Sequence, residues 1–391
     1  MVDVAQPRPL RGDQALAVGA FLRRLDWVLL LAVAALVLLG LWAISGITHD
    51  DVPGDPDYYL VRQAVFAGLG TVGLVLAILI DPDVYRRHFP IVYGVMLALL
   101  LLVFAAGEVT RGSRRWVELG FFTFQPSEFG KLLLALSLAA FLGGRMKRLN
   151  EPTTILATVG LALLPALLVF VQPDVGTSLV YIAALAAALF VAGIRWLILA
   201  ALAAAAVLAA AAVLWALPAA GVEVLKPYQV ARLTGFTNPD EDPGGLTYNL
   251  TQSKTAVGAG GVHGRGVEGA TQTNLDYLPE HATDFVFASY AEQRGFVGAA
   301  VLLALYLLVV WRGLRIVAIA RDAFSAIAVA AVIVAFLFQV FVNVGMTIGM
   351  APITGIPLPF MSVGGSSMIS NLIAIGVLQA ICARSRAQRR R

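Results

Sequence analysis

Ten apolar runs, each near the length of a bilayer crossing, constrain this chain more than any other feature. They fall at about 27–47, 61–80, 89–106, 127–143, 153–171, 177–193, 195–218, 290–311, 323–348 and 362–382. About 20 apolar residues of helix span the hydrocarbon core of a membrane. The expected fold class is an all-α polytopic membrane protein of about ten transmembrane helices, with a large extracytoplasmic loop between spans 7 and 8. Composition agrees: 59% of residues are hydrophobic and 13% charged, whereas a soluble protein is nearer half and a quarter. Only Gly193, Ile194 and Arg195 interrupt the apolar sequence between spans 6 and 7. The first run is too long for a signal-peptide core and no small-residue cleavage site follows it, so it reads as a retained span.

The chain reads as one membrane domain, with a segment 1–26, a loop 219–289 and a basic tail 383–391. With ten spans both termini share a side. Most of the 28 Lys and Arg lie on that side, among them Arg23, Arg24, Arg86, Arg87, Arg145, Lys147, Arg148, Arg312, Arg315 and the tail arginines. By the positive-inside rule the termini are cytoplasmic and the large loop faces outward. The expected location is a bacterial cytoplasmic (inner) membrane. Basic residues at such positions face anionic lipid headgroups and give no reason to invoke nucleic acid. The single cysteine, Cys382, excludes an intramolecular disulfide and a cysteine-built metal site.

Several polar residues break the pattern. Arg111, Arg114 and Arg115 lie on the outer side, against the charge rule. Either the rule is merely relaxed there, or the guanidinium groups grip an anion, which they suit by donating paired hydrogen bonds. Trp116 is an interfacial anchor or a substrate contact. Lys131 lies one turn inside span 4, where a lone ammonium is unfavourable by roughly 2.5 kcal/mol or more. It must snorkel outward or meet an acid. Asp284 is the first choice for that acid, and Glu128, three residues earlier on the same face, is the second. Asp174 follows Pro173 in a turn and reads as structural. The stretch 258–269, GAGGVHGRGVEG, lacks the strand and context of a dinucleotide fingerprint. It suits close backbone packing or close approach to a ligand. His263 and His281 read as loop residues.

Three acids of the large loop compete for a chemical role. Asp276 sits in a polar stretch, Glu280 follows a proline, and Asp284 precedes Phe285-Val286-Phe287. Asp284 is the most desolvated by its neighbours. Burial raises a carboxyl pKa, and a general base works best with a pKa near the operating pH. The alternative for Thr283 or Asp284 is a helix N-cap for span 8.

Taken together, these segments resemble the SEDS family (shape, elongation, division and sporulation proteins) along nearly the whole chain. The resemblance rests on Arg115-Trp116, Gln125-Pro126-Ser127-Glu128 with Lys131, and Gln172-Pro173-Asp174-Val175-Gly176-Thr177. It continues through Pro227-Tyr228-Gln229 with Arg232, Asn238-Pro239, Gln272-Thr273, Leu278-Pro279-Glu280 and Thr283-Asp284-Phe285. It ends at Gly355-Ile356-Pro357-Leu358-Pro359-Phe360 and Ser362-Val363-Gly364-Gly365-Ser366-Ser367. Gln272-Thr273 and Pro352-Ile353-Thr354-Gly355-Ile356 are similar to the elongation branch rather than the division branch. The chain departs from the family pattern at His281-Ala282, where the histidine usually stands one residue later, at Gln293-Arg294 and at Val363.

The resemblance implies a peptidoglycan glycosyltransferase that polymerises lipid II. Asp284 would be the catalytic base, taking the proton of the acceptor's GlcNAc 4-hydroxyl as that oxygen attacks the donor's anomeric carbon with inversion. Lys131, Glu128, Arg115, Trp116 and Glu280 are the candidate substrate-binding residues. Positive charge for the leaving pyrophosphate would come from Arg115 and Lys131 or from a divalent cation, Mg2+ or Mn2+; no other cofactor is implied. The implied partner is a class B penicillin-binding protein, a transpeptidase. Two rivals stand beside this reading, a lipid II flippase and a structural scaffold. The flippase needs polar chemistry on both sides of the membrane, and the sequence places it mainly on the outer side.

Overall fold

The computed structural model describes residues 21–110, 113–118, 120, 122–222, 230 and 246–389. Arg8, Arg11, Arg111, Lys226, Pro227-Tyr228-Gln229, Arg232, Asn238-Pro239, Gly244, Gly245, Arg390 and Arg391 lie outside these residues. Among the described residues, ten helices are long and apolar enough to cross a membrane. They are α1 (Trp27–Ile47), α2 (Tyr58–Leu79), α3 (Phe89–Ala106), α4 (Pro126–Gly143), α5 (Pro152–Val171), α6 (Val175–Ala192), α7 (Trp196–Ala219), α8 (Val286–Ile319), α9 (Ala323–Thr347) and α10 (Gly365–Arg389). They match the ten apolar runs one for one, and the chain is a multi-pass, all-α membrane protein.

Local chemistry sets the helix ends. Asp26, Asp174 and Asp322 cap α1, α6 and α9, accepting from Leu29 N at 3.0 Å, Thr177 N at 3.1 Å and Ser325 N at 3.0 Å. Pro126 and Pro152 open α4 and α5, where a missing N–H costs nothing. Gly193 takes a left-handed φ of 88° and closes α6, so the short break before α7 is a true turn. Two helices outrun their apolar stretches. α8 has 34 residues, and α10 runs on to Arg389, into the tail expected as a separate basic segment. Hydropathy ends where charges begin, but arginine is a good helix former and the backbone continues.

The helices sort into centre and periphery. α4, α9 and α10 are 78%, 72% and 83% buried along their most apolar windows, against 17% for α3 and 0% for α7. The central three therefore keep most of their length away from lipid. α8 bends at Gly295, whose φ is 65°. The stretch 261–266 lies across that bend and pairs with the freed backbone. Phe296 N and Val297 N donate to Gly261 O and Val262 O, and Arg265 N and Gly266 N donate to Glu292 O and Gln293 O, at 2.9–3.1 Å. A side chain at Gly264 would collide with the Gln293 carbonyl. Close backbone packing thus explains the glycine-rich segment.

Two features go beyond a loop reading. The connection between α3 and α4 forms a small antiparallel sheet of β1 (Glu108–Thr110), β2 (Ser113–Glu118) and β3 (Thr123–Phe124). Val117 pairs with Phe124 across it. The large connection between α7 and α8 contains helices at Leu246–Gly260 and Thr271–Asn274.

Candidate active site

The turn Leu278–Phe285 is pinned at both ends by burial. Leu278 and Phe285 join an apolar cluster with Leu250, Ala256, Ala288 and Ile353. Between these anchors Glu280 holds a φ of 57°, rare for a residue with a side chain. Its carbonyl accepts from Thr283 N and Phe285 N, both at 3.1 Å. Three successive carbonyls are then fixed from outside the turn. Val363 N donates to Ala282 O at 2.9 Å and Ser362 Oγ to Thr283 O at 2.6 Å. Asn343 Nδ2 donates to Asp284 O at 2.9 Å and also to Ile356 O at 2.8 Å. The N-cap alternative fails here, because Phe285 occupies the cap position of α8 and no side chain caps that helix.

With the backbone held, the side chains turn to a cavity of about 420 Å³ lined by Glu280, Thr283 and Asp284. Thr283 Oγ1 donates to Glu280 Oε2 at 2.8 Å. The opposite wall comes from β2 and its flank, with Arg115, Trp116, Glu118, Thr123 and Gln125. The Arg115 guanidinium lies 4.7 Å from the Trp116 ring centre and 3.9 Å from Asp174 Oδ1. Asp174 caps α6 as its turn position implies, and it also accepts from Gln125 Nε2 at 3.2 Å. It therefore ties the arginine wall to the bundle. The start of α10, Gly364 to Ser367, completes the lining. A helix N-terminus carries partial positive charge and free N–H groups. Ser366 Oγ accepts from Gln125 N at 2.9 Å and donates to Thr123 O at 3.2 Å, joining α10 to the sheet. The site brings the carboxylates of Glu280 and Asp284 into one cavity with Arg115, Glu118 and a helix N-terminus.

The model of the FtsW/RodA/SpoVE cell cycle protein family matches residues 23–387. This chain belongs to that family. The resemblance read from the motifs is borne out, since this family is the one those motifs identify. Peptidoglycan glycosyltransferase MrdB of Escherichia coli (strain K12) is 35% identical over 346 residues, covering 88% of this chain and 91% of its own length. Stage V sporulation protein E of Bacillus subtilis (strain 168) is 33% identical over 367 residues, 92% of this chain and 98% of its own. Among solved structures, a chain from a peptidoglycan synthase complex that coordinates polymerization and crosslinking matches with a TM-score of 0.78 and 32% identity. It covers 93% of this chain and 99% of that one. The rod shape determining protein RodA of Thermus thermophilus matches with a TM-score of 0.65 and 28% identity, over 92% of this chain and 96% of that one.

In this FtsW/RodA/SpoVE member, Lys131 and Glu128 do not line the Asp284 cavity. They line a separate cavity of about 30 Å³ with Gln339, Ser370 and Asn371. Lys131 Nζ donates to Glu128 Oε2 at 2.7 Å and to Gln339 Oε1 at 2.6 Å. The sequence reading placed Asp284 before Glu128 as the partner of Lys131; the structure gives Glu128. The spacing of three residues puts both on one face of α4, and both are buried in its most enclosed part.

Three further residues were missed by sequence reasoning. His281, expected as a plain loop residue, sets Nε2 3.0 Å from Asp51 Oδ1 and Nδ1 3.2 Å from Leu278 O. It joins the α1–α2 connection to the turn. Burial pushes the imidazole pKa down, but the hydrogen bond and charge of Asp51 outweigh it and the net shift is upward. Asp51, Asp276 and His281 also bring their ligand atoms within 4.8 Å of one another. Glu292 is wholly buried and accepts from Gln272 N, Thr273 N and Thr273 Oγ1 at 2.8–3.1 Å, capping the helix Thr271–Asn274. Asn343 is signalled only by being an amide inside an apolar run. The opposite end of the bundle is not bare either: Asp26, Arg312, Arg315 and Arg386 surround a cavity there, which the sequence reading did not anticipate.

Proposed function

We propose that this chain is a peptidoglycan glycosyltransferase that polymerises lipid II, with Asp284 as general base. The observation that carries the reading is the Asp284 cavity, where a carboxylate on a rigid turn faces an arginine and a helix N-terminus. Asp284 takes the proton of the acceptor's 4-hydroxyl while that oxygen bonds to the donor's anomeric carbon. The bond from that carbon to the pyrophosphate breaks on the opposite face, so the configuration inverts. Arg115 and the N–H groups at the start of α10 stabilise the departing pyrophosphate, the kind of preorganised charge that lowers barriers most. Trp116 and Glu280 contact substrate. Lys131 and Glu128 hold α4 in place beneath the cavity.

A divalent cation, Mg2+ or Mn2+, fits this cavity. Such ions bind through one or two carboxylates together with substrate phosphates, and Glu280 offers a hard oxygen ligand on the lining. When bound it supplies positive charge beside the pyrophosphate. The charge distribution supports cytoplasmic termini and an outward cavity in a bacterial inner membrane. The solved relative from a peptidoglycan synthase complex supports a class B penicillin-binding protein as partner. Relatives named glycosyltransferases weigh against the flippase.

The test is purified protein with its partner and labelled lipid II, with products separated on a gel. Glycan chains should form with the natural chain and vanish with Asp284→Asn. If Asp284→Asn made chains at the natural rate, the base assignment would fall. A variant that made none yet still moved lipid II between leaflets as the natural chain did would favour the flippase.

A further inference from the structure

At the end of the bundle opposite Asp284, a cavity of about 300 Å³ is lined by Asp26, Arg312, Arg315, Ile319, Ser385 and Arg386. Its charges do not balance. Asp26 is the one carboxylate on the lining, and its oxygens are fully engaged. Oδ1 accepts from Leu29 N and Arg312 Nε, both at 3.0 Å, and Oδ2 accepts from Arg312 Nη2 and from Arg386 Nη2 at 3.2 Å. Arg315 is exposed, and among the described residues it meets no carboxylate. Its guanidinium sits 5.4 Å from the ring centre of Trp311, and that of Arg312 sits at the same distance from the same ring. Three guanidinium groups against one carboxylate leave a cavity with a net positive charge and donors to spare.

The surface below the cavity is apolar. Leu303, Leu307 and Trp311 are 37%, 68% and 49% exposed. With Arg315 they recur every fourth residue, which sets them along one face of α8. A guanidinium thus tops a lipid-facing ladder of Trp and Leu.

We propose that this cavity binds the phosphate of an anionic diacyl lipid, with one acyl chain lying along the Leu303–Leu307–Trp311 ladder. Guanidinium forks match phosphate oxygens, and basic pockets between membrane helices bind anionic headgroups. A soluble phosphate would satisfy the arginines alone; the ladder adds a place for the chain and favours the lipid. The site lies at the other end of the molecule from Asp284 and depends on no step of the proposed reaction.

The full-length chain in neutral detergent can be titrated with dioleoyl phosphatidylglycerol, dioleoyl phosphatidylcholine or inorganic phosphate, with bound lipid read by native mass spectrometry and stability by thermal melting. Phosphatidylglycerol should bind and stabilise more than phosphatidylcholine. Arg315→Gln should weaken it about fivefold, the scale of one basic side chain at an anionic surface, without changing the lipid-free melting temperature. Arg86→Gln, an exposed basic residue outside the cavity, should leave that affinity unchanged. Equal losses in the two variants would reduce the effect to general surface charge and overturn the site, as would unchanged binding in Arg315→Gln. Stabilisation by inorganic phosphate equal to that by phosphatidylglycerol would overturn the lipid assignment.

Discussion

Asp26 and Asp284 make an instructive pair. Each stands just before a membrane helix, each lines a cavity, and they lie at opposite ends of the bundle. At Asp26 the side chain carries the structure: its carboxylate caps α1 and holds Arg312 and Arg386. At Asp284 the main chain carries it. Asn343 grips the carbonyl, neighbouring carbonyls are held by Ser362 and Val363, and the helix behind it takes no cap from any side chain. The two aspartates thus hold the starts of their helices by different groups, the one by its carboxylate and the other by its main chain.

That contrast gives opposite mutant phenotypes. Asp284→Asn should lower polymerisation by about 10²–10⁴-fold, the usual effect of losing a positioned base, with the melting temperature hardly moved. Asp26→Ala should do the reverse. It leaves two partly buried guanidiniums without their carboxylate, a loss of about 3–5 kcal/mol, while the folded fraction keeps its activity. Melting curves and gel assays on both variants check this. A large stability loss in Asp284→Asn would erase the distinction between the two sites.

The buried pair in α4 tests the same logic inside the membrane. Lys131→Met strands the Glu128 carboxylate and should cost about 3 kcal/mol or more. Adding Glu128→Gln removes the stranded charge and should restore most of the stability and part of the polymerisation. A double variant that melts normally but makes no glycan would instead place Lys131 in contact with substrate.

Much of this was legible in the sequence, and what was not has a physical cause. Apolar length marked all ten helices, because lipid imposes a single solution on such runs. The turn holding Asp284 was legible because a polar acid stands beside the buried Phe285. Arg115 was legible as a cation against the charge rule, and Trp116 as the aromatic beside it. The partner of Lys131 was ranked wrongly because Glu128, which the spacing favours, was set behind Asp284, whose distance from Lys131 the sequence does not show. Asn343, Glu292 and Asp51 were missed because each meets a residue distant in sequence: Asp284, Thr273 and His281 respectively. The small sheet went unread because its strands are too short to show a pattern.

Asn343 should show how far rigid support matters to Asp284. Asn343→Ala unpairs the carbonyls of Asp284 and Ile356 at once. Small misplacement of a reacting group costs up to about 10²-fold, so polymerisation should fall by about 10–100-fold. Asp284 would still be present, so the pH dependence of the residual rate should keep its shape. A variant as active as the natural chain would mean that the turn holds itself.

The smallest effect concerns the clamp between His281 and Asp51, which ties the turn to the α1–α2 connection. The His281 pKa is raised in the folded protein: burial works against the charged form, but the bond and charge of Asp51 prevail. A raised pKa means that the folded state binds the proton more tightly than the unfolded chain. The stabilisation is therefore fully present below the unfolded value of about 6.5 and is lost as pH rises through the higher folded value. The natural chain should melt above His281→Gln at pH 6, by about 1 °C if the ion pair contributes ~1 kcal/mol to a chain of this length. The gap should close by pH 8.5, because glutamine keeps a hydrogen bond to Asp51 but never gains the charge. Asp51→Asn should remove the pH dependence of that gap. A gap that widened with rising pH would show that burial, rather than Asp51, governs the histidine.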